Sequence, residues 1–158
     1  MQLTLPQSEI YLCPSRFLAV VAGRRFGKTF LSTGKILEQA IKGRDRNVWY
    51  VAPTYGAAKE IAWDMLITTI PPEYIYKTNE TSLTLKLING SVIALKGAEK
   101  PNNLRGRSLD YVVLDELQTC GQRHGVRFLG HHYLTDKEEL YSLAHRRDVT
   151  TFTIYGLR

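Results

Sequence analysis

The sequence has little cysteine and no long apolar run. Its two cysteines, Cys13 and Cys120, lie far apart in the chain, so a disulfide framework is not expected. No stretch approaches the roughly 20 consecutive apolar residues of a membrane-spanning helix, and residues 1–8 are too polar for a secretory signal peptide. Internal repeats and low-complexity linkers are also lacking. We therefore expect a single domain in a reducing cytoplasm, with no membrane partner.

The charge balance is positive without being extreme. The 158 residues contain 21 Lys and Arg against 15 Asp and Glu, which gives a net charge of +6 at pH 7. This charge suits an anionic partner such as a nucleotide or DNA, although many soluble proteins carry a similar one. A hydrophobic content of 44% and a charged content of 23% are ordinary for a globular domain with its own core.

The most informative stretch is FLAVVAGRRFGKT, residues 17–29. Its apolar first part predicts a buried strand, and the residues after it have helical spacing. A strand, a glycine-containing loop, Gly-Lys-Thr and a helix in this order form the pattern of a P-loop. Gly23 and Gly27 would let backbone N–H groups face phosphate oxygens, and the helix N-terminus would add partial positive charge. The alternative, a basic turn after a core strand, leaves this order unexplained.

The loop residues have predicted roles in binding ATP. Lys28 would reach the β- and γ-phosphates, and the Thr29 hydroxyl would hold Mg²⁺. Ala22 stands where the usual pattern has glycine, so it must keep a negative φ. The predicted nucleotide-binding loop consists of Ala22, Gly23, Arg24, Arg25, Phe26, Gly27, Lys28 and Thr29.

An apolar strand that ends in two acids is predicted at residues 111–116, YVVLDE. Downstream of a P-loop, such a strand is typical of the metal site. Asp115 would hold Mg²⁺ through water, and Glu116 would orient and deprotonate the attacking water. On its own the pattern more often describes a strand that ends in a solvated acidic turn. The interpretation therefore depends on the loop at 22–29.

A second strand–helix unit follows the first. Residues 48–52 predict another buried strand, and residues 56–69 predict an amphipathic helix that ends before two prolines. Between the first helix and this strand, Gly43 suits a left-handed helix cap. Repeated strand–helix units indicate a parallel sheet covered by helices.

The rest of the chain predicts an antiparallel addition and a last strand. Asn89-Gly90 between two β-rich runs is a strong signal for a hairpin over residues 83–95. A helix and then a strand at 150–155 are expected near the end. Together the elements predict a single P-loop NTPase domain over residues 1–158, with a mostly parallel sheet flanked by helices and one antiparallel hairpin.

Gln7 is a candidate contact to the base of the nucleotide. It follows Pro6 and precedes Ala22 by fifteen residues, and several nucleic-acid motors have a glutamine at about this place. Its amide can donate and accept a hydrogen bond at once, which matches N6 and N7 of adenine. The alternative is a surface glutamine on a short helix.

Residues 3–118 resemble the ATPase domain of the large terminase subunit, the DNA-packaging motor of tailed bacteriophages. The arginines inside the loop are characteristic of that family, and so is Leu104-Arg105-Gly106 ahead of the acidic strand. The matching segments are PQ at 6–7, AGRRFGKT at 22–29, YVAPTYGAAKEIAWDML at 50–66 and GAEKPNNLRGRSLDYVVLDE at 97–116.

The resemblance implies roles for individual residues. Asp115 corresponds to the metal-site acid, and Glu116 to the catalytic carboxylate. Either Arg24 or Arg25 would sense the γ-phosphate in cis, with Arg24 preferred, because a guanidinium there stabilises the charge of the transferring phosphoryl group. Gln7 corresponds to the adenine contact.

The resemblance also implies a setting. It predicts ATP and Mg²⁺ as cofactors, double-stranded DNA as substrate, and the small terminase subunit and portal protein as partners. It further predicts a homo-oligomeric ring in the cytoplasm of the infected bacterial host. The nuclease domain of the family is not expected within these 158 residues.

Residues 119–158 depart from the terminase pattern. Residues 133–158 instead resemble the end of the P-loop domain of thymidine kinases, where a helix leads to a strand that ends in Tyr-Gly-Leu-Arg. Two alternatives to the motor therefore remain. One is a thymidine-kinase-like phosphotransferase, and the other is an inactive nucleotide-binding fragment.

Overall fold

Seven strands among the described residues form a single sheet. The computed structural model describes residues 2–14, 17–23, 25–99, 108–115 and 152–157. The strands are β1 (Phe17–Val21), β2 (Asn47–Ala52), β3 (Ile75–Asn79), β4 (Thr84–Leu87), β5 (Val92–Gly97), β6 (Tyr111–Asp115) and β7 (Phe152–Leu157). The strands predicted at 17–21 and 48–52 are present, and the strand predicted at 111–116 is present as far as Asp115, the last residue described there. The strand predicted at 150–155 corresponds to β7 over its described residues, Phe152–Leu157.

The sheet combines a parallel centre with antiparallel additions. Its order is β1-β7-β6-β2-β5-β4-β3. Strand β2 pairs in parallel with β5 and β6, whereas β7 is antiparallel to both β1 and β6. Strand β4 is antiparallel to β3 and β5. Strands β1, β2, β3, β5 and β6 thus run in one direction, which confirms the predicted α/β class.

Helices cover the sheet. They are α1 (Leu5–Leu12), α2 (Lys28–Ile41), α3 (Tyr55–Ala58) and α4 (Asp64–Thr69). A π-helical turn, Lys59–Trp63, joins α3 to α4, and a 3₁₀ turn, Pro72–Tyr74, leads into β3. The single regular helix predicted at 56–69 is therefore wrong in its middle, where the wider turn inserts. In the part of the chain that the structure describes, no helix is long and apolar enough to span a membrane.

The main core lies between one face of the sheet and the helices. From the sheet it takes large buried side chains such as Tyr50, Ile93 and Leu95, and from the helices it takes Ile36 and Trp63. The other face of the sheet buries a smaller cluster, whose buried members are Trp49, Val51, Ala94 and Leu114. Strand β2 is therefore buried on both faces, which explains its continuous apolar sequence.

The predicted hairpin is confirmed, and its turn also caps a helix. Strands β4 and β5 form the hairpin, and Gly90 has the positive φ of +85° that its turn requires. The side-chain amide of Asn89 donates to the carbonyl oxygens of Ala40 and Gly43, at 2.8 and 2.7 Å. These contacts satisfy carbonyl groups that the end of α2 leaves without helical partners.

The expected left-handed cap at Gly43 is wrong. The left-handed residue of this turn is Asp45, with φ +54°, and the cap residue of α2 is Lys42 with φ −60°. The cap that the sequence assigned to a local glycine is supplied instead by Asn89, from a distant part of the chain.

Candidate nucleotide-binding site

The loop between β1 and α2 is shaped by two residues with positive φ. Arg25 has φ +66° and Gly27 has φ +89°. Gly27 is the N-cap of α2, and a Cβ atom there would lie 2.8 Å from Nε2 of Gln7. Glycine at this position thus meets both a conformational and a steric demand.

The backbone of the first two residues of the loop does not require glycine. Ala22 does not have a positive φ, which agrees with the expectation that its Cβ atom excludes one. Gly23 is likewise outside the left-handed region, and a Cβ atom there would meet no described atom within 4 Å. Among the described residues of the loop, the left-handed conformations thus belong to Arg25 and Gly27 and not to Gly23.

The side chain of Lys28 folds back over the loop. Its Nζ donates hydrogen bonds to the carbonyl oxygens of Ala22 and Gly23, both at 2.8 Å. Lys28 is the first residue of α2, and the first turn of that helix contains no acidic residue. The cation and the positive end of the helix dipole therefore occupy the same small region.

Gln7 connects α1 to this loop. Its Oε1 accepts a hydrogen bond of 2.9 Å from the backbone N–H of Thr4, which completes a capping box at the start of α1. Its Nε2 donates a hydrogen bond of 2.7 Å to the carbonyl oxygen of Phe26. A glutamine amide has a second N–H and a second acceptor lone pair, so these two contacts leave capacity for the predicted adenine contact.

Tyr11 holds α1 against α2. Its hydroxyl donates to the carbonyl oxygen of Gly34 at 3.4 Å, and Nζ of Lys35 lies 4.3 Å from the centre of its ring. Burial, together with the negative charge of Glu38, raises the pKa of Tyr11 to about 12. This contact helps to fix the helix that carries Gln7.

Asp115 lies at the same end of the sheet as the loop. In β7, Thr153 is the register partner of Val20 on one side and of Asp115 on the other. Two strand spacings separate Val20 from Asp115, or about 10 Å between backbones. Because β1 and β6 run in the same direction, the loop after Val21 and the carboxylate of Asp115 share one edge.

The donor set at this edge suits a hard divalent cation. A threonine hydroxyl at position 29 and a carboxylate at position 115 are oxygen ligands of the kind that Mg²⁺ prefers, and this ion is usually bound by one or two protein oxygens together with phosphates and waters. Among the described residues no cluster of three or more His, Cys, Asp or Glu side chains is present. Thr29 and Asp115 stay the predicted protein ligands of Mg²⁺, together with the nucleotide.

Comparison with known proteins identifies the family. The family described as "Terminase large subunit, T4likevirus-type, N-terminal" matches residues 19–129, which is more than half of the chain. The chain belongs to the large terminase family. The match continues beyond residue 118, where the resemblance seen in the sequence ended.

Individual terminases are similar over part of their length. The large terminase subunit of Escherichia phage T5 is 32% identical over 108 residues, which are 64% of this chain and 23% of that protein. The chain thus spans about a quarter of the length of this relative.

Solved terminase structures share the fold. The large terminase ATPase domain of Thermus phage P74-26 superposes with a TM-score of 0.60 at 22% identity, over 68% of this chain and 51% of that one. A mutant of the same domain gives a TM-score of 0.53 at 23% identity, over 63% and 47% of the two chains.

Two predicted site residues of this terminase chain, Arg24 and Glu116, lie outside the described residues, and their roles stay predictions. Arg25 is described and is exposed. The structure brings together Gln7 and the loop at Phe26, and it places Asp115 at the loop's edge of the sheet through the register of β7.

Sequence reasoning missed one contact at this edge of the sheet. The hydroxyl of Tyr50 in β2 donates a hydrogen bond to Oδ2 of Asp115 in β6, and the two residues are 65 positions apart. A general signal was available, because a tyrosine within a buried strand needs a partner for its hydroxyl. The identity of the partner required the strand register.

Proposed function

We propose that this chain is the ATPase motor domain of a large terminase and that it hydrolyses ATP to move double-stranded DNA into a viral capsid. One observation carries the proposal: the loop that follows β1 and the carboxylate of Asp115 lie at one edge of the sheet. Thr153 of β7 pairs with Val20 of β1 on one side and with Asp115 of β6 on the other. Phosphoryl transfer requires a phosphate-binding loop and a metal-site acid to converge in this way. Membership of the large terminase family supports the same activity.

Lys28 would bind the phosphates by exchanging its present hydrogen-bond acceptors for phosphate oxygens. Lys28 donates to the carbonyl oxygens of Ala22 and Gly23, and phosphate oxygens would replace these neutral acceptors with charged ones, which form stronger hydrogen bonds. Backbone N–H groups at the start of α2 lack helical partners and would face the same anion. Gln7 would contact adenine while it holds the loop through Phe26.

The hydrolytic step would use residues of the loop at 22–29 together with the acidic pair Asp115 and Glu116. Thr29 and Asp115 would hold Mg²⁺, which when bound neutralises charge on the phosphate oxygens. Glu116 would accept a proton from the attacking water. Arg24, or Arg25 in its place, would stabilise the charge that spreads over the transferring phosphoryl group. Lys28 completes the proposed catalytic set.

The proposed setting is that of a packaging motor. Double-stranded DNA would be the translocated substrate, and the small terminase subunit and the portal protein would be the partners. The chain would act in the host cytoplasm within a homo-oligomeric ring. The net charge of +6 is compatible with a polyanionic substrate.

One assay separates the motor from the two alternatives. Pure protein is incubated with Mg²⁺, thymidine and ATP labelled in the γ-phosphate, and Lys28→Ala supplies the background. We expect labelled inorganic phosphate and no labelled thymidine monophosphate. Labelled thymidine monophosphate would replace the motor with a kinase. Neither product, combined with ATP binding in calorimetry, would contradict the proposal and favour an inactive nucleotide-binding fragment.

A further inference from the structure

Tyr50 and Asp115 are joined within the core, next to the proposed metal site. Tyr50 lies directly opposite Val113 in the parallel pairing of β2 with β6. Side chains two residues apart in a strand share a face, so Val113 and Asp115 lie on the same side of β6. The hydroxyl of Tyr50 reaches past Val113 along this face and donates its hydrogen bond to Oδ2 of Asp115.

We propose that Tyr50 is a positioning residue for Asp115, which fixes the direction in which that carboxylate presents its oxygens to metal-bound water. The inference rests on the proposed function, because it assigns Asp115 to Mg²⁺. Partners that hydrogen-bond to a metal-binding carboxylate orient it, and their removal typically lowers metal affinity about 10- to 100-fold.

The packing around Tyr50 makes it a rigid donor. Its side chain is 0% exposed and belongs to the main core with Val48, Leu95 and Val113. A tyrosine has only two side-chain torsions, and close packing leaves few alternatives for them. The position of the hydroxyl is therefore set by the β2–β6 register rather than by solvent.

Asp115 needs such a partner because it is almost buried. Only 4% of its surface is exposed, and a carboxylate removed from water is costly unless it accepts hydrogen bonds. Phenylalanine would fill the same space as Tyr50, so packing alone does not require the hydroxyl. The hydroxyl acts on the carboxylate, and through it on the metal site.

The test compares two tyrosine hydroxyls on the same face of the sheet. Tyr50→Phe removes the donor to Asp115. Tyr111→Phe is the matched control, because Tyr111 is buried in the same core and shares a face of β6 with Asp115, about 13 Å away at about 3.3 Å per residue. Mn²⁺ affinity is measured by electron paramagnetic resonance in the presence of ADP. Nucleotide affinity without metal and thermal stability are measured on the same samples.

Tyr50→Phe should weaken Mn²⁺ binding about 10- to 100-fold and leave metal-free nucleotide binding unchanged, while Tyr111→Phe should leave both unchanged. Wild-type Mn²⁺ affinity in Tyr50→Phe would overturn the inference, and so would an equal loss in Tyr111→Phe. If the wild type itself bound neither nucleotide nor Mn²⁺, the proposed function would fail, which distinguishes the two outcomes.

A second measurement keeps every hydroxyl in place and replaces only a ring hydrogen with fluorine. Fluorotyrosine is introduced at position 50 or at position 111, and the fluorine resonance is recorded before and after Mg²⁺ is added to the ADP-bound protein. We expect a shift for the probe at Tyr50 and none for the probe at Tyr111. An unmoved resonance at Tyr50, in a sample that binds Mg²⁺, would overturn the inference.

Discussion

The side-chain amide of Gln7 donates a hydrogen bond of 2.7 Å to the carbonyl oxygen of Phe26, and the same nitrogen lies against Gly27. A residue of the first helix thus holds the turn from which α2 begins. The contact links the part of the chain that would recognise the base to the part that would bind the phosphates.

Gln7→Ala should weaken ATP binding and reduce any preference for ATP over GTP. The first effect follows from the lost hydrogen bond to Phe26, and the second follows if the remaining amide capacity reads adenine. Affinities for both nucleotides are measured by calorimetry, with Gln2→Ala as the control at an exposed glutamine near the same helix. An unchanged ratio of ATP to GTP affinity would show that Gln7 supports the loop without reading the base.

Lys28→Ala should abolish measurable ATP binding. Lys28 is the residue that would contact the β- and γ-phosphates. Removal of one partner from a buried charged contact costs on the order of 2–5 kcal/mol. Lys42→Ala is the matched control, because Lys42 lies at the other end of the same helix and its side chain is 62% exposed. Calorimetry that gave the two variants the same ATP affinity would remove the phosphate-binding role of the loop.

Glu116→Gln should bind ATP and Mg²⁺ normally and lose hydrolysis. An amide cannot accept the proton of the attacking water, and general base catalysis typically contributes about 10²- to 10⁴-fold in rate. Glu60→Gln, at an exposed glutamate of the π-helical turn, controls for the loss of one carboxylate. Turnover at the wild-type rate in Glu116→Gln would assign the base to another residue.

Tyr11 should make the protein less stable in alkali. Its pKa is raised from the usual 10.0 of a tyrosine to about 12, so the unfolded chain loses this proton first. Its contribution is fully present below about pH 10 and is lost as the pH rises towards about 12. The loss should be smaller in Tyr11→Phe than in the wild type.

Urea unfolding at several pH values between about 9 and 12 measures this difference. Tyr76→Phe, at a tyrosine that is 70% exposed, is the control for removal of a phenol. Parallel pH profiles for the wild type and Tyr11→Phe would mean that the contact between α1 and α2 does not shift this titration.

The parts of the fold that could be predicted are those that local patterns determine. Continuous apolar runs located β1, β2 and β6, and Asn89-Gly90 located the hairpin. Strand β3 escaped prediction because it is an edge strand whose residues after Ile75 are all exposed, so it lacks an apolar alternation. The antiparallel insertion of β7 between β1 and β6 escaped as well, since strand order is not written in any local segment.

The candidate site also has one part that local patterns determine and another that depends on tertiary packing. The loop at 22–29 was predictable because spacing and residue type along one segment define it. The contacts from Gln7 to Phe26 and from Tyr50 to Asp115 join residues 19 and 65 positions apart, so they depend on tertiary packing. The cap predicted at Gly43 was wrong for the same reason. A local rule favoured the glycine, whereas the carbonyl groups at the end of α2 are satisfied by Asn89, which is distant in sequence.

The most direct test of the motor is the dependence of ATP hydrolysis on double-stranded DNA. Phosphate release is measured over a series of DNA concentrations and salt concentrations, with Glu116→Gln as the background and a DNA-free series to correct for salt. We expect the rate to rise with DNA, and the stimulation to fall as salt increases, because DNA phosphate contacts are weakened by salt. Hydrolysis that is indifferent to DNA at every salt concentration would contradict the account.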